Sequence, residues 1–272
     1  MVNQPPSNTI AEAYLGALGL TRRQADLDFL KKLNQGHVAS LAFSSVGPLL
    51  GNDLSLDSRS LFERIVVKRR GGYCFEHNGL MYQALGELGF TVRLYLARVI
   101  YNQDIHPGLT HRITLAEIDG SHYVVDVGFG PLGPYLPVKM SGEVSREAWR
   151  EFWIAEPEPG VFHMQTRKDG KPFSLYKFEL NRYGQADCEV GHFYSHKHPK
   201  ASFTNHLVVS IITDHAVQSI RNHEFRTEDS TGESVTPIRD DKELKNILDR
   251  HFNIHVTADE ARQLFAKTTG KR

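Results

Sequence analysis

Cys74 lies in the stretch RGGYCFEHN, just past a glycine pair, and is one of only two cysteines in 272 residues. A thiol attacks carbon as the thiolate, and a helix N-terminus favours that form because its unpaired N–H groups and macrodipole stabilise negative charge. The run that begins at Cys74, CFEHNGLMYQALGELGF, places Leu80, Ala84 and Leu88 on one stripe. This predicts a helix with the thiol in its first turn, while Gly71 and Gly72 allow tight backbone geometry and room for a substrate. Such a thiol needs a base, and the base needs an orienting carboxylate, with partners that can be distant in sequence.

Fourteen histidines are available as the base. His111 opens the strand-like run HRITLAEI, and Asp126 closes HYVVD, with Asp119-Gly120 as a turn signal between them. A tight hairpin pairing His111 with Asp126 centres its turn between Ile118 and Asp119, one residue from that signal, and puts both side chains on one face. His77 is a rival base, but three residues beyond Cys74 on one helix it is expected to point away from the reacting edge and to be a satisfied polar residue. The cluster HFYSHKHP holds His192, His196 and His198, read as solvated loop histidines with no fourth ligand, so no metal is expected. Cys188 has no comparable setting and is assigned to packing or surface. Arg70 is a candidate partner for Glu76.

These residues need a frame. NTIAEAYLGALGL and TRRQADLDFLKKLNQGHV carry apolar residues three and four apart and predict two amphipathic helices, with Thr21 and Gln24 as a capping box for the second. LDSRSLFERIVVKRRGG predicts a third, capped by Asp57 or Ser58 and stopped at Gly71-Gly72. From Thr91 to Tyr194 the texture alternates polar with β-branched and aromatic residues, which predicts an antiparallel sheet or barrel. EPEPG, Glu156 to Gly160, is the candidate linker. NHLVVSIITDHAVQSIRNHEFRT adds strands, and DDKELKNILDRHF and TADEARQLFAKT predict two closing helices.

With 40% hydrophobic and 24% charged residues the chain has the profile of a folded globular protein. A formal net charge of zero gives no global field toward nucleic acid or an anionic membrane. Two cysteines far apart read as free thiols in a reducing compartment. The opening residues lack a signal-peptide pattern and no run is apolar enough for a span, so a cytoplasmic location is expected.

RGGYCFEHN, THRITL and DVGFG, in this order, resemble the arylamine N-acetyltransferases, whose signature includes an Arg-Gly-Gly-Tyr-Cys-Phe-Glu block; the resemblance extends from AYLGALGL to PKASFTNHLVV. It implies an α+β fold of three parts: a helical bundle over 1–90 with the nucleophile, a β-barrel over 91–195 with the histidine and aspartate, and an α/β lid over 196–272. It further implies a cysteine-protease-like triad of Cys74, His111 and Asp126 that takes acetyl from acetyl-CoA and gives it to an arylamine or hydrazine. By the same resemblance Gly108, Gly128, Gly130 and Tyr194 sit near CoA, and Phe129 and Phe203 line the acceptor pocket with Phe43 as a further candidate. No nucleic-acid or membrane partner is implied, and the protein is expected as a monomer or weak homo-oligomer. Two departures stand out: Ala42-Phe43-Ser44 replaces the family's Pro-Phe-Glu, and Ala201 replaces a serine. A cysteine hydrolase or transglutaminase-like enzyme is the rival reading of the triad, and a silent binding module the rival from another class.

Overall fold

The structure, a computed structural model, describes residues 10–270. Asn8 and Thr9, which open the first helical pattern, and most of the segment read for a signal peptide lie outside the described residues. The first part holds α1 (Ile10–Ala17), α2 (Leu27–Ser40), β1 (Phe43–Ser44), α3 (Val46–Leu50), α4 (Ser58–Phe62) and α5 (Cys74–Glu87), with a π-helical turn at Glu63–Val67 after α4. Asp57 caps α4 by accepting from Ser60 N at 2.9 Å. α2 starts later than expected because Asp26 accepts from Phe29 N at 2.8 Å, leaving Thr21 and Gln24 outside the helix. The run after α4 ends before the glycine pair, where Arg69 turns left-handed at φ 51°.

The second part is one eight-stranded antiparallel sheet: β2 (Thr91–Val99), β3 (His111–Ile118), β4 (Ser121–Val125), β5 (Val138–Lys139), β6 (Ser145–Glu147), β7 (Arg150–Glu158), β8 (Val161–Lys168) and β9 (Lys171–Glu179). Its order is β5-β4-β3-β2-β9-β8-β7-β6, and β5 returns toward β7, nearly closing a barrel around Ile113, Val124, Phe152, Met164, Leu175 and Tyr176. The predicted linker Glu156–Gly160 is instead the tip of the β7–β8 hairpin, where Glu156 accepts from Gly160 N at 2.8 Å.

The last part holds α6 (Gln185–Lys197), α7 (Ser202–Asn205), β10 (Val208–Ile212), β11 (Val217–Arg221), β12 (Glu224–Asp229), β13 (Gly232–Pro237), α8 (Asp241–Phe252) and α9 (Ala258–Thr268). Residues 185–197 were expected as sheet and loop, and α6 runs through position 195, where the barrel was expected to end. The strands form a sheet ordered β1-β10-β11-β12-β13, so two residues from the helical part, Phe43 and Ser44, pair with Ser210 and Val209. That pairing brings the first part, the nucleophile loop and the C-terminal sheet together.

Candidate active site

The β3–β4 hairpin turns on Asp119 and Gly120, both at positive φ, and its register pairs Thr114 with Val125 and Ile118 with Ser121. This is two residues away from the expected pairing, so Asp126 does not oppose His111 but lies diagonally beyond the end of β4. A shift of two keeps both residues on one face. The outcome is a 2.7 Å contact between His111 Nε2 and Asp126 Oδ2 with both side chains buried. Asp126 Oδ1 also accepts from Asn78 Nδ2 at 2.8 Å and Gly128 N at 3.1 Å. Burial alone would raise this carboxyl, but His111 and the Asn78 and Gly128 donors outweigh it and hold it below the usual carboxylate range. An ionised Asp126 fixes the proton on Nε2, which leaves Nδ1 as the basic nitrogen of His111.

Cys74 opens α5 with Tyr73 as N-cap; Glu76 Oε2 reaches back to accept from Tyr73 N at 3.1 Å. The Cys74 N–H makes no hydrogen bond within the described residues. The thiol is 3% exposed and its hydrogen is directed to Thr110 O at 3.4 Å rather than to the imidazole. The helix start was expected to lower the thiol pKa. Burial and then Asp126 instead push it well up, against the backbone N–H groups of Arg112 and Phe75 that face the sulfur. A thiol held this way keeps its proton until a base removes it.

Cys74 and His111 line one cavity of about 1260 Å³ between the barrel and the C-terminal sheet. Phe43, Phe129, Phe203, Gly128 and Tyr194 line it too, whereas Gly108 and Gly130 do not. Phe129 meets the His111 ring edge-on at 5.1 Å, and Phe43 and Phe203 likewise meet edge to face at 5.8 Å. Gly128 is required by the chain itself: a Cβ there would stand 2.9 Å from Cys74 Cα. Gly130, at φ 89°, turns its bare face to the Phe43 ring. The room at Gly71 likewise serves the chain, since a Cβ would meet Ser44 Cβ at 2.5 Å and Ala42 O at 2.7 Å. Gly72 O then accepts from Ser44 N at 2.6 Å.

His77 is engaged on both nitrogens, Nδ1 with His37 Nε2 at 2.6 Å and Nε2 with Ala42 O at 3.1 Å. His192 and His196 are buried in α6 rather than solvated in a loop. Among the described residues no group of three or more His, Cys, Asp or Glu is placed to hold a metal. Arg70 does not reach Glu76; it pairs with Glu260 at 2.6 Å, and Glu76 takes Arg64 at 2.6 Å. Lys197 is engaged by Asp53, while Lys200 lines the cavity. Ala201 caps α7 without a side-chain acceptor. The residue that sequence reasoning missed is Asn78, although its position four residues after Cys74 on the same helix face was a legible signal. No helix among the described residues is long and apolar enough to cross a membrane.

A family model described as N-acetyltransferase matches residues 26–261. An arylamine N-acetyltransferase of Mycobacterium tuberculosis is 31% identical over 236 residues, 85% of this chain and 83% of that protein. The Salmonella typhimurium arylamine N-acetyltransferase structure superposes with a TM-score of 0.90 at 27% identity, covering 95% of this chain and 98% of the other. The Mycobacterium marinum arylamine N-acetyltransferase in complex with CoA superposes with a TM-score of 0.88 at 28% identity, covering 94% and 97%.

Proposed function

The chain belongs to the arylamine N-acetyltransferase family of acyltransferases, and from that premise we propose that it carries acetyl from acetyl-CoA to an arylamine or hydrazine through a thioester on Cys74. The observation that carries this reading is the His111–Asp126 contact, which commits Nε2 to the carboxylate and leaves Nδ1 for a thiol in the same cavity. Cys74 gives its proton to His111 Nδ1 as its sulfur adds to the thioester carbonyl; the carbonyl re-forms, the C–S bond to CoA breaks, and the CoA sulfur takes the proton from His111. The amine then adds to the acetyl carbon and passes a proton to His111 as the Cys74 sulfur leaves, and that proton returns to the sulfur. Asp126 stabilises the imidazolium in both halves.

The unbonded Cys74 N–H is the oxyanion donor in this scheme. Phe129 and Phe203 with Phe43 form the walls for a flat amine, and Gly128 and Tyr194 border the donor's path. Gly108 and Gly130, assigned to CoA by resemblance, lie outside the lining of this cavity. Two free thiols suit a reducing, cytoplasmic setting.

Mass spectrometry after acetyl-CoA treatment tests the proposal. An acetyl adduct is expected on Cys74, lost in Cys74→Ser and discharged by an arylamine. An adduct that water discharges faster than any amine favours the hydrolase reading, and no adduct at all on folded protein removes the covalent route.

A further inference from the structure

The two neighbours of Cys74 are both held by α6, a helix that contributes nothing to the His111–Asp126 pair. Tyr73, fully buried, donates its hydroxyl hydrogen to His192 Nδ1 at 2.5 Å, with a longer 3.3 Å approach to His192 O. The two rings stack at 5.7 Å with planes 9° apart. His192 Nε2 donates to Leu54 O at 2.9 Å, which leaves Nδ1 as an acceptor aimed at Tyr73. Burial holds His192 down to about 4, so the ring stays neutral and one nitrogen remains an acceptor at neutral pH.

On the other side of the thiol, Gly191 lets α6 close on Phe75, because a Cβ there would meet the Phe75 ring at 2.6 Å. The same Cβ would meet Leu109 O at 2.5 Å, next to Thr110, whose carbonyl receives the thiol hydrogen. Tyr73, Phe75 and the 109–110 segment are thus fixed from one helix. The Cys74 sulfur itself is met by backbone groups, the Thr110 carbonyl and the Arg112 and Phe75 N–H groups.

We propose that His192 is a positioning residue for the nucleophile: through the Tyr73 hydroxyl it sets the N-cap of α5 and so the aim of the Cys74 thiol at His111. This rests on the acetyltransferase reading above. The Tyr73 hydroxyl lies outside the cavity lining and both of its polar contacts are to His192, so its role is exerted through that residue. Tyr194 and Ser195 of the same helix line the cavity, which ties the wall of the donor path to the nucleophile's backbone.

The test is the rate of Cys74 alkylation by iodoacetamide across pH, with the label located by peptide mapping and the melting temperature measured in parallel. Tyr73→Phe keeps the ring and removes only the hydroxyl. His192→Phe removes the acceptor, and His192→Asn restores an oxygen where Nδ1 stood. Tyr73→Phe and His192→Phe are each expected to slow alkylation by about tenfold at neutral pH and to move the rate midpoint to higher pH. The double variant is expected to be no slower than either single, and His192→Asn to recover most of the rate. A Tyr73→Phe protein with wild-type rate and pH profile overturns the proposal, and so does a double variant whose losses multiply. A His192→Asn protein that regains melting temperature but not rate also overturns it. Should His192→Phe fail to fold, Tyr73→Phe decides alone. Because alkylation needs no acetyl-CoA, a wild-type Cys74 that alkylates but is never acetylated sinks the acetyltransferase reading and leaves this test intact.

Discussion

Asn78 Nδ2 lies 2.8 Å from Asp126 Oδ1 and 2.6 Å from Arg112 O, while Asn78 Oδ1 accepts from Val127 N at 2.9 Å. One buried amide therefore joins the nucleophile's helix to the residue after His111 and to both sides of the aspartate. Asn78→Ala leaves the Arg112 carbonyl and the Val127 N–H unpaired, at about 1–3 kcal/mol for each buried group. Asn78→Asp is nearly isosteric but removes the donor and adds a carboxyl beside Asp126, which raises the aspartate's pKa. Both variants are expected to lose about tenfold or more in kcat. In Asn78→Asp the acid limb of the rate profile moves to higher pH. Steady-state rates between pH 5 and 9 check this, and an unmoved acid limb refutes the electrostatic part.

Gly128 is expected to tolerate no side chain, for a reason that lies in the protein and not in a ligand. An added Cβ stands 2.9 Å from Asn78 Nδ2 and from Cys74 Cα, and the latter is backbone that has nowhere to go. Gly128→Ala is expected to cost about 1–3 kcal/mol and to displace the nucleophile. Gly130→Ala meets only the Phe43 ring at 3.5 Å, and its cost comes from φ 89°. Melting temperature with single-turnover acetylation separates the two: similar stability losses, but a much larger loss of acetylation for Gly128→Ala. Equal acetylation in both variants contradicts the packing argument.

The parts of the fold that read clearly were those whose burial follows hydropathy. α5 and α8 bury leucine and phenylalanine and α9 buries Ala261 and Leu264 at helical spacing, and the limits of all three match the pattern. α6 was invisible because its buried face is Cys188, Gly191, His192, Ser195 and His196, a stripe of small and polar residues whose burial depends on partners elsewhere in the chain. The β3–β4 register was misplaced by two because the pairing was centred from His111 and Asp126 rather than from Asp119-Gly120, whose left-handed pair defines the turn. The glycines of RGGYC looked like space for a substrate; the 42–44 segment that fills that space pairs through β1 with a strand more than 160 residues away. The partner of Arg70 was misread for the same reason, since Glu260 belongs to the last helix.

Two arginines beside the nucleophile differ sharply in what their removal exposes. Arg64 Nε donates to Glu76 Oε1 at 2.6 Å, and the Glu76 side chain is 1% exposed. Arg64→Ala strands a buried carboxylate, at about 3–5 kcal/mol. Arg70 makes a two-pronged contact with Glu260 and a further one to His255 O, but both pair members are partly exposed, so Arg70→Ala is expected to cost about 1 kcal/mol. Urea unfolding of the two variants gives the ranking, and a reversed order contradicts the burial argument.

Stability is expected to fall steeply as pH drops below 6.5, because several buried histidines are neutral in the fold. Burial holds His77 and His192 down to about 4 and lowers His37 well below its usual value. Between about 6.5, the unfolded value, and 4, the unfolded chain binds protons at these sites that the native protein does not. Each such proton makes unfolding easier by about 1.4 kcal/mol per pH unit of descent. Glu147 acts the other way: burial raises it to about 7, so between 7 and the unfolded value near 4.5 the native protein holds a proton that the unfolded chain lacks. One proton of the histidine effect is therefore offset. His77→Gln is expected to flatten the slope of unfolding free energy against pH by about one proton, and Glu147→Gln to steepen it by a similar amount. Urea titrations at pH 5, 6 and 7.5 give those slopes. Parallel lines for His77→Gln and the wild type would mean that His77 is protonated to the same degree in both states, contrary to its hydrogen bonds to His37 and Ala42 O.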